Sequence, residues 1–325
     1  MQAARRSGLA LLFLAPVLGE LVSGHQGPAE FFNPISFAVT ALPYGCGALL
    51  CREFTRRWRK GWLGLLLLAV AYGLYEEGVV SRALFDPGWY ELEAIGRYTH
   101  VVGINWTYGF MLIHFHAAIS VLSSVMLAEI LFPERRHEPW LTNGQAALCG
   151  LVLALWPPVL AWLARADHPL HRPAPALWAL TTLVLVALVA TARWAPDRPL
   201  PIVNREVPHP WRFLVLGAVN MTVVMVTVFA LPEQGLQPPL FVLVAFLLGF
   251  DGLTLWLLLR WSGNTRGWDD RHRLALAAGL LTFFVLFGVL ADLERFEGKS
   301  LVGLAATFAL WQLRRRVADR GSAVK

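Results

Sequence analysis

The chain has 325 residues, 56% of them apolar and only 15% charged, with a mean hydropathy of +0.53 and a formal net charge of +6. A water-soluble domain carries about 25% charged residues, so the composition excludes an ordinary soluble protein. The apolar residues form runs of about 20, enough to cross ~30 Å of hydrocarbon, without the alternating short segments of a β-barrel.

The expected fold is therefore all-α: a polytopic transmembrane helix bundle, forming one integral membrane domain over 1–325 with no soluble domain. About ten spans are expected, at roughly 8–24, 34–52, 61–84, 101–132, 146–164, 175–193, 212–231, 238–260, 273–292 and 299–315. The first follows Arg5-Arg6 and ends near Val22-Ser23-Gly24, a pattern shared with cleavable signal peptides. Glu20, late in the apolar run, argues against cleavage.

The second span opens with Asn33-Pro34, a cap followed by a first-turn proline. It carries Pro43-Tyr44-Gly45-Cys46-Gly47 at mid-depth. Proline frees a carbonyl there and glycine removes bulk, so a kink or close packing is expected.

The third span holds Glu76 and Glu77 side by side. One ionised carboxylate at the bilayer centre costs roughly 2.5–3.5 kcal/mol on insertion scales. Such residues persist when they face a protected interior, find partners or stay protonated. The fourth span holds His114 and His116. Helix residues two apart point ~200° apart, so the two imidazoles occupy different faces. The His116 stripe (Asn105, Tyr108, Gly109, Ser120, Ser123, Ser124) is the more polar one and the better interior lining. Glu76, Glu77 and, from the first span, Glu20 fall in the outer half, with the histidines near mid-depth. One pocket shared by these groups is expected, open outward or laterally. Arg82 is placed to snorkel or to neutralise a carboxylate.

The fifth span contains Pro157-Pro158. In the seventh and eighth, Asn220 and Asp251 are expected to pair. The cysteines Cys46, Cys51 and Cys149 all fall in apolar spans and suggest neither a disulfide framework nor zinc spacing.

Basic residues alternate with the spans. With both termini in the cytoplasm, 22 lie on inner segments and 6 on outer ones. By the positive-inside rule, this supports an even span count and cytoplasmic termini in a prokaryotic plasma membrane. The positive balance belongs to the inner leaflet, with no nucleic-acid partner implied.

Glu76, Glu77, His116 and His114 are thus the candidate catalytic residues; Glu20, Asn105, Asn220 and Asp251 are further buried polar groups. No cofactor is implied. A metal is left open, because two histidines and two glutamates match no strong ligand template. Membrane lipids are the expected partners, with a membrane-embedded peptide or lipid as possible substrate. The same carboxyls also suit a proton- or cation-coupled transporter, interhelical ties, or a non-enzymatic scaffold.

Glu76-Glu77-Gly78-Val79-Val80-Ser81-Arg82, followed by Phe110-Met111-Leu112-Ile113-His114, resembles the first two motifs of the CPBP family of intramembrane proteases, the CAAX prenyl proteases and bacteriocin-processing enzymes. The resemblance implies a glutamate that activates water, supported by histidines and an asparagine. Four residues separate Glu77 from Arg82 where the family has three. The third motif, His-x-x-x-Asn/Asp, has no counterpart on a later span, leaving Asn220 or Asp251 as substitutes. The motif selects His114, whereas the helical face selects His116. More broadly, Glu30-Phe31-Phe32-Asn33-Pro34, Glu76-Glu77-Gly78 and Phe132-Pro133-Glu134-Arg135-Arg136 resemble an uncharacterised group of multi-pass bacterial and archaeal membrane proteins, which implies no activity.

Overall fold

The computed structural model describes residues 2–89, 92, 97–165, 169–196, 206–263, 267–294 and 297–322. Its helices are α1 (Gln2–Pro16), the short α2 (Pro28–Phe31), α3 (Pro34–Arg57), α4 (Trp62–Val80), α5 (Trp106–Leu131), α6 (Asn143–Leu163), α7 (Pro175–Trp194), α8 (Pro210–Glu233), α9 (Leu240–Ser262), α10 (Asp270–Glu294) and α11 (Lys299–Ser322). Eight of them, α3 to α10, are long and apolar enough to cross a membrane.

Local chemistry starts these helices where the sequence signals it. The Asn33 side chain accepts hydrogen bonds from the backbone of Ile35 (3.0 Å) and Ser36 (3.3 Å), with Pro34 in the first turn of α3. Thr142 and Gln145 form a reciprocal capping box at the start of α6.

The bundle is built around α4 and α5, where 67% of the apolar window is buried, against 11% in α6, α7 and α9. The two central helices therefore define the interior, and the other three form an apolar rim suited to lipid. One face of α5 packs Ala117, Val121, Val125 and Ala128 with α1, α3, α4 and α6. Its other face packs Met111, Phe115, Ile119 and Ile130 with α8 and α10. Gly217 of α8 and Gly279 of α10 let those backbones approach so closely that a Cβ at Gly279 would overlap the Leu214 carbonyl. In a bilayer, where lipid tails match side chains in polarity, such small-residue contacts are a main source of helix association.

Arginines gather at one end of the bundle. Arg52 is buried; its Nε donates to Glu129 Oε1 (3.0 Å), and its other nitrogens donate to the carbonyls of Arg135, Arg136 and Glu138. Gly8 of α1 lies beside Leu141 at this end, and Arg320 of α11 donates to the Ile130 carbonyl. Gly24, just beyond the first helix, lies beside Lys299 at the start of α11. Residues 8–24 and α11 thus each connect the arginine-rich end with the contact between Gly24 and Lys299.

The structure corrects several boundaries. The fourth span does not begin at 101. His100–Val101 and Ile104–Asn105 form a two-stranded antiparallel hairpin, β1 and β2, and α5 starts at Trp106. Val102 (φ 55°) and Gly103 (φ 74°) are both left-handed, as the two-residue turn of a tight hairpin requires. The third helix ends at Val80 rather than at 84, and the last continues to Ser322. The Pro43 to Gly47 stretch lies within the continuous α3, where its glycines serve close packing: Gly45 faces the Leu12 backbone and Gly47 the Tyr72 ring.

Candidate functional site

Five of the helical rods contain a π-helical segment among the described residues, and three of these carry an acid or an imidazole: Val17–Val22 after α1, Glu76–Val80 ending α4, and His116–Ser123 within α5. These hold Glu20, the Glu76/Glu77 pair, and His116 with Ser120. A π turn inserts an extra residue, breaks the ordinary hydrogen-bond ladder and is common at functional sites. The three turns converge in the half of the bundle away from the arginines.

Glu77 and His116 are bonded there: Glu77 Oε1 lies 2.7 Å from His116 Nε2. Glu77 Oε2 accepts from the Ser81 hydroxyl at 2.9 Å. The other imidazole nitrogen, His116 Nδ1, lies 3.3 Å from Ser120 Oγ. Both partners of the central pair are buried, with side chains 7% and 3% exposed, so each polar group depends on the other for a hydrogen-bond partner in place of water. Rings flank the imidazole, Tyr44 at 5.4 Å and Tyr72 at 6.0 Å between centroids.

Glu20 joins from α1. It accepts the Tyr44 hydroxyl on Oε1 and lies 2.5 Å from His25 Nδ1 through Oε2. His25 is 48% exposed, so this acid connects the interior to the surface. A Cβ on Gly19 would strike the Tyr44 ring and come 3.0 Å from Ser120 Oγ. That glycine lets α1 bring Glu20 close to the cluster. Glu76 interacts electrostatically with Glu20, Tyr44 and Tyr72. Its Oε2 and the Tyr72 hydroxyl are buried and find no partner among the described residues. An unsatisfied buried polar atom costs about 1–3 kcal/mol, a strain that a shared proton or bound molecule relieves.

His114 does not join this cluster. It points to the other face of α5, where its Nδ1 lies 2.8 Å from Asp251 Oδ2. Asn220 donates to Asp251 Oδ1 at 2.8 Å and lies 3.4 Å from Thr254 Oγ1. Asn220 and Asp251 do pair, with His114 as a third member. The single pocket expected for both histidines is thus two sites, because the ~200° offset between residues two apart holds through the π turn. Asn105 is also elsewhere. Ahead of α5, its amide donates to the carbonyls of Ala83 and Asp86, both at 2.7 Å, and its Oδ1 meets His100. It staples the hairpin to the loop after α4. Arg82, expected to snorkel or to neutralise a carboxylate, donates to the His171 carbonyl. Among the described residues, no group of three or more His, Cys, Asp or Glu is placed to hold a metal ion.

Tyr44, Tyr72 and His25 carry little signal of the site in the sequence. Tyr44 stood out only as part of a proline-glycine stretch, and Tyr72 lies in an apolar run one turn before Glu76. His25 lies beyond the first span, where helical periodicity gives no bearing.

A helical bundle with this apolar rim and a buried acid–imidazole cluster is an integral membrane protein. A family model described as an uncharacterized membrane protein family matches residues 9–318. The chain belongs to that family. No curated protein and no solved structure matches it significantly. The CPBP resemblance gains no support from these comparisons, and the structure separates its two motifs: Glu77 bonds His116, whereas the motif histidine, His114, bonds Asp251.

Proposed function

We propose that this protein is a proton-coupled membrane transporter whose relay is the Glu20–Glu76–Glu77–His116 cluster. The observation that carries the reading is a pair of polar chains inside an otherwise apolar bundle. Hydrogen bonds join exposed His25 to Glu20 and Tyr44, and join Ser81, Glu77, His116 and Ser120. The Tyr44 and His116 rings, 5.4 Å apart between centroids, bring the two chains together. Ser123 and Ser124, farther along α5, are fully buried and donate to the Ala118 and Ile119 carbonyls. A structural tie between two helices needs one such contact; two chains that meet in the interior, one of them reaching the surface, suit proton movement.

Each link has suitable chemistry. A carboxyl and an imidazole sharing one hydrogen bond exchange a proton with little atomic movement, and hydroxyls both donate and accept. Buried ionisable groups inside spans commonly mark such relays. The hydrolase reading requires Glu77 to activate water beside a histidine and an asparagine. Here His116 and Ser81 take both Glu77 oxygens, while His114 and Asn220 belong to another site, which favours transport. We place the arginine-rich end and both termini in the cytoplasm, with ten spans in a prokaryotic plasma membrane, because 22 of the 28 basic residues then lie inside.

Infrared titration of the protein in lipid tests the relay. A protonated-carboxyl band that changes with pH and is reduced in Glu77→Gln is the expected result. A wild-type spectrum without any such band, or one unchanged by Glu77→Gln, counts against it.

A further inference from the structure

A second feature lies on the other face of α5: a cavity of about 760 Å³ between α4, α5, α8, α9 and α10, with the end of α3 at its rim. Its volume is in the range that holds one small ligand, ~300–1,000 Å³. The walls are mostly aliphatic, with Leu66, Leu122 and Leu255 among them, and polar groups sit at both ends. Glu129, Arg56 and Arg273 line one end; His114, Asp251 and Asn220 line the other. His114 and Glu129 share one helix fifteen residues apart, so the two polar ends are roughly 20 Å apart at ~1.5 Å per residue.

The arginine end carries more positive than negative charge. Four guanidinium groups, Arg52, Arg56, Arg136 and Arg273, surround two carboxylates, Glu129 and Asp270. Glu129 Oε1 is already engaged by Arg52 at 3.0 Å and Arg56 at 2.6 Å, and Asp270 by Arg136 at 2.6 Å. Arg273 Nη1 reaches both carboxylates only at 4.0 Å and forms no hydrogen bond among the described residues, although it is buried. A surplus of partly buried positive charge with an idle, buried donor atom is complementary to an anion, and a guanidinium suits carboxylate or phosphate oxygens. At the other end, His114 Nε2 is likewise buried with no partner among the described residues.

We propose that this cavity binds a single-chain amphiphile with an anionic head, carboxylate or phosphate, at Arg273 and Arg56. The hydrocarbon chain lies along the leucine walls, and a hydrogen-bonding group at the far end meets His114. The inference goes beyond the proton relay and does not depend on it, since equilibrium binding needs no proton to cross the membrane.

The test is calorimetric titration of the full-length protein in nanodiscs of zwitterionic lipid with hexadecanoate, ω-hydroxyhexadecanoate and hexadecanol. Hexadecanoate should bind saturably, hexadecanol at least tenfold more weakly, and the ω-hydroxylated acid several-fold more tightly than hexadecanoate. Arg273→Gln should weaken both acids about tenfold and leave the alcohol unchanged; Arg273→Lys should retain most of the affinity. A Cβ at Gly252, which borders the cavity, meets nothing within 4 Å. Gly252→Leu should therefore fold and weaken all three ligands. Arg315→Gln, exposed on α11, is the control. Acid and alcohol binding alike, Arg273→Gln binding as wild type does, or no gain from the ω-hydroxyl would overturn the proposal. Displacement of hexadecanoate by the two-chain lipid phosphatidylglycerol at equal concentration would overturn the single-chain assignment.

Discussion

Replacing His116 should be far more damaging than replacing the acid it holds. In His116→Leu, Glu77 keeps the Ser81 hydroxyl at 2.9 Å but loses its 2.7 Å imidazole partner while remaining buried. Breaking a buried ion pair by removing one partner typically costs ~3–5 kcal/mol, and the retained hydroxyl offsets about 1 kcal/mol of that. A loss of roughly 2–4 kcal/mol follows. In Glu77→Gln, charge-assisted bonding worth ~1.5–3 kcal/mol is lost, but a carboxylate costing ~2.5–3.5 kcal/mol leaves the membrane interior. The two nearly cancel, leaving stability within about 1 kcal/mol of wild type. The double variant Glu77→Gln/His116→Leu buries no unpaired charge and should regain most of what His116→Leu loses, a coupling of ~2–3 kcal/mol by double-mutant cycle. Reversible unfolding in bicelles, followed by circular dichroism, measures all four proteins. Additive losses in the double variant, or a His116→Leu protein as stable as wild type, would refute the account of Glu77 and His116 as one buried pair.

Three further outcomes follow from other contacts. His25→Ala removes the exposed end of the polar chain through Glu20 and should slow proton movement several-fold, with Glu20 still held by Tyr44 and the fold intact by size-exclusion profile. Gly279→Leu forces a side chain against the Leu214 carbonyl and should destabilise the protein by more than the ~1–3 kcal/mol of ordinary overpacking, seen as loss of the monodisperse peak. Cysteines introduced at Ser322 and Gly235 should label from opposite sides of intact cells, Gly235→Cys from outside; outside labelling of Ser322→Cys would contradict the proposed topology.

Much of the architecture is legible in the sequence because the bilayer imposes it. Runs of about 20 apolar residues leave few alternatives to helices, and the helices found at 34–57, 143–163 and 175–194 lie close to the expected spans. Errors fall where hydropathy gives no direction. Residues 100–105 are apolar enough to extend a span, yet Val102 and Gly103 turn the chain through left-handed backbone. Asn105, counted on the polar stripe of a helix, therefore lies ahead of it. The helical-face argument separated His116 from His114, because an offset between near neighbours survives a local π turn. What it could not give was the partner of each face. Glu77 and Asp251 are 39 and 137 residues away from their imidazoles, and only tertiary packing decides which meets which. Depth along the spans already put Glu20 of the first span with the cluster; hydropathy does not show the means, which is Gly19 having no side chain beside Tyr44 and Ser120.

Proton flux tests the central claim most directly. Purified protein is reconstituted into liposomes enclosing a pH-sensitive dye, a pH gradient is imposed, and the membrane potential is clamped with potassium and valinomycin. The account predicts faster relaxation than in empty liposomes, abolished in Glu76→Gln/Glu77→Gln and unchanged in Arg315→Gln, with all variants monodisperse. Relaxation no faster than in empty liposomes, or full flux in the doubly substituted protein, would contradict it and return both acids to a structural role.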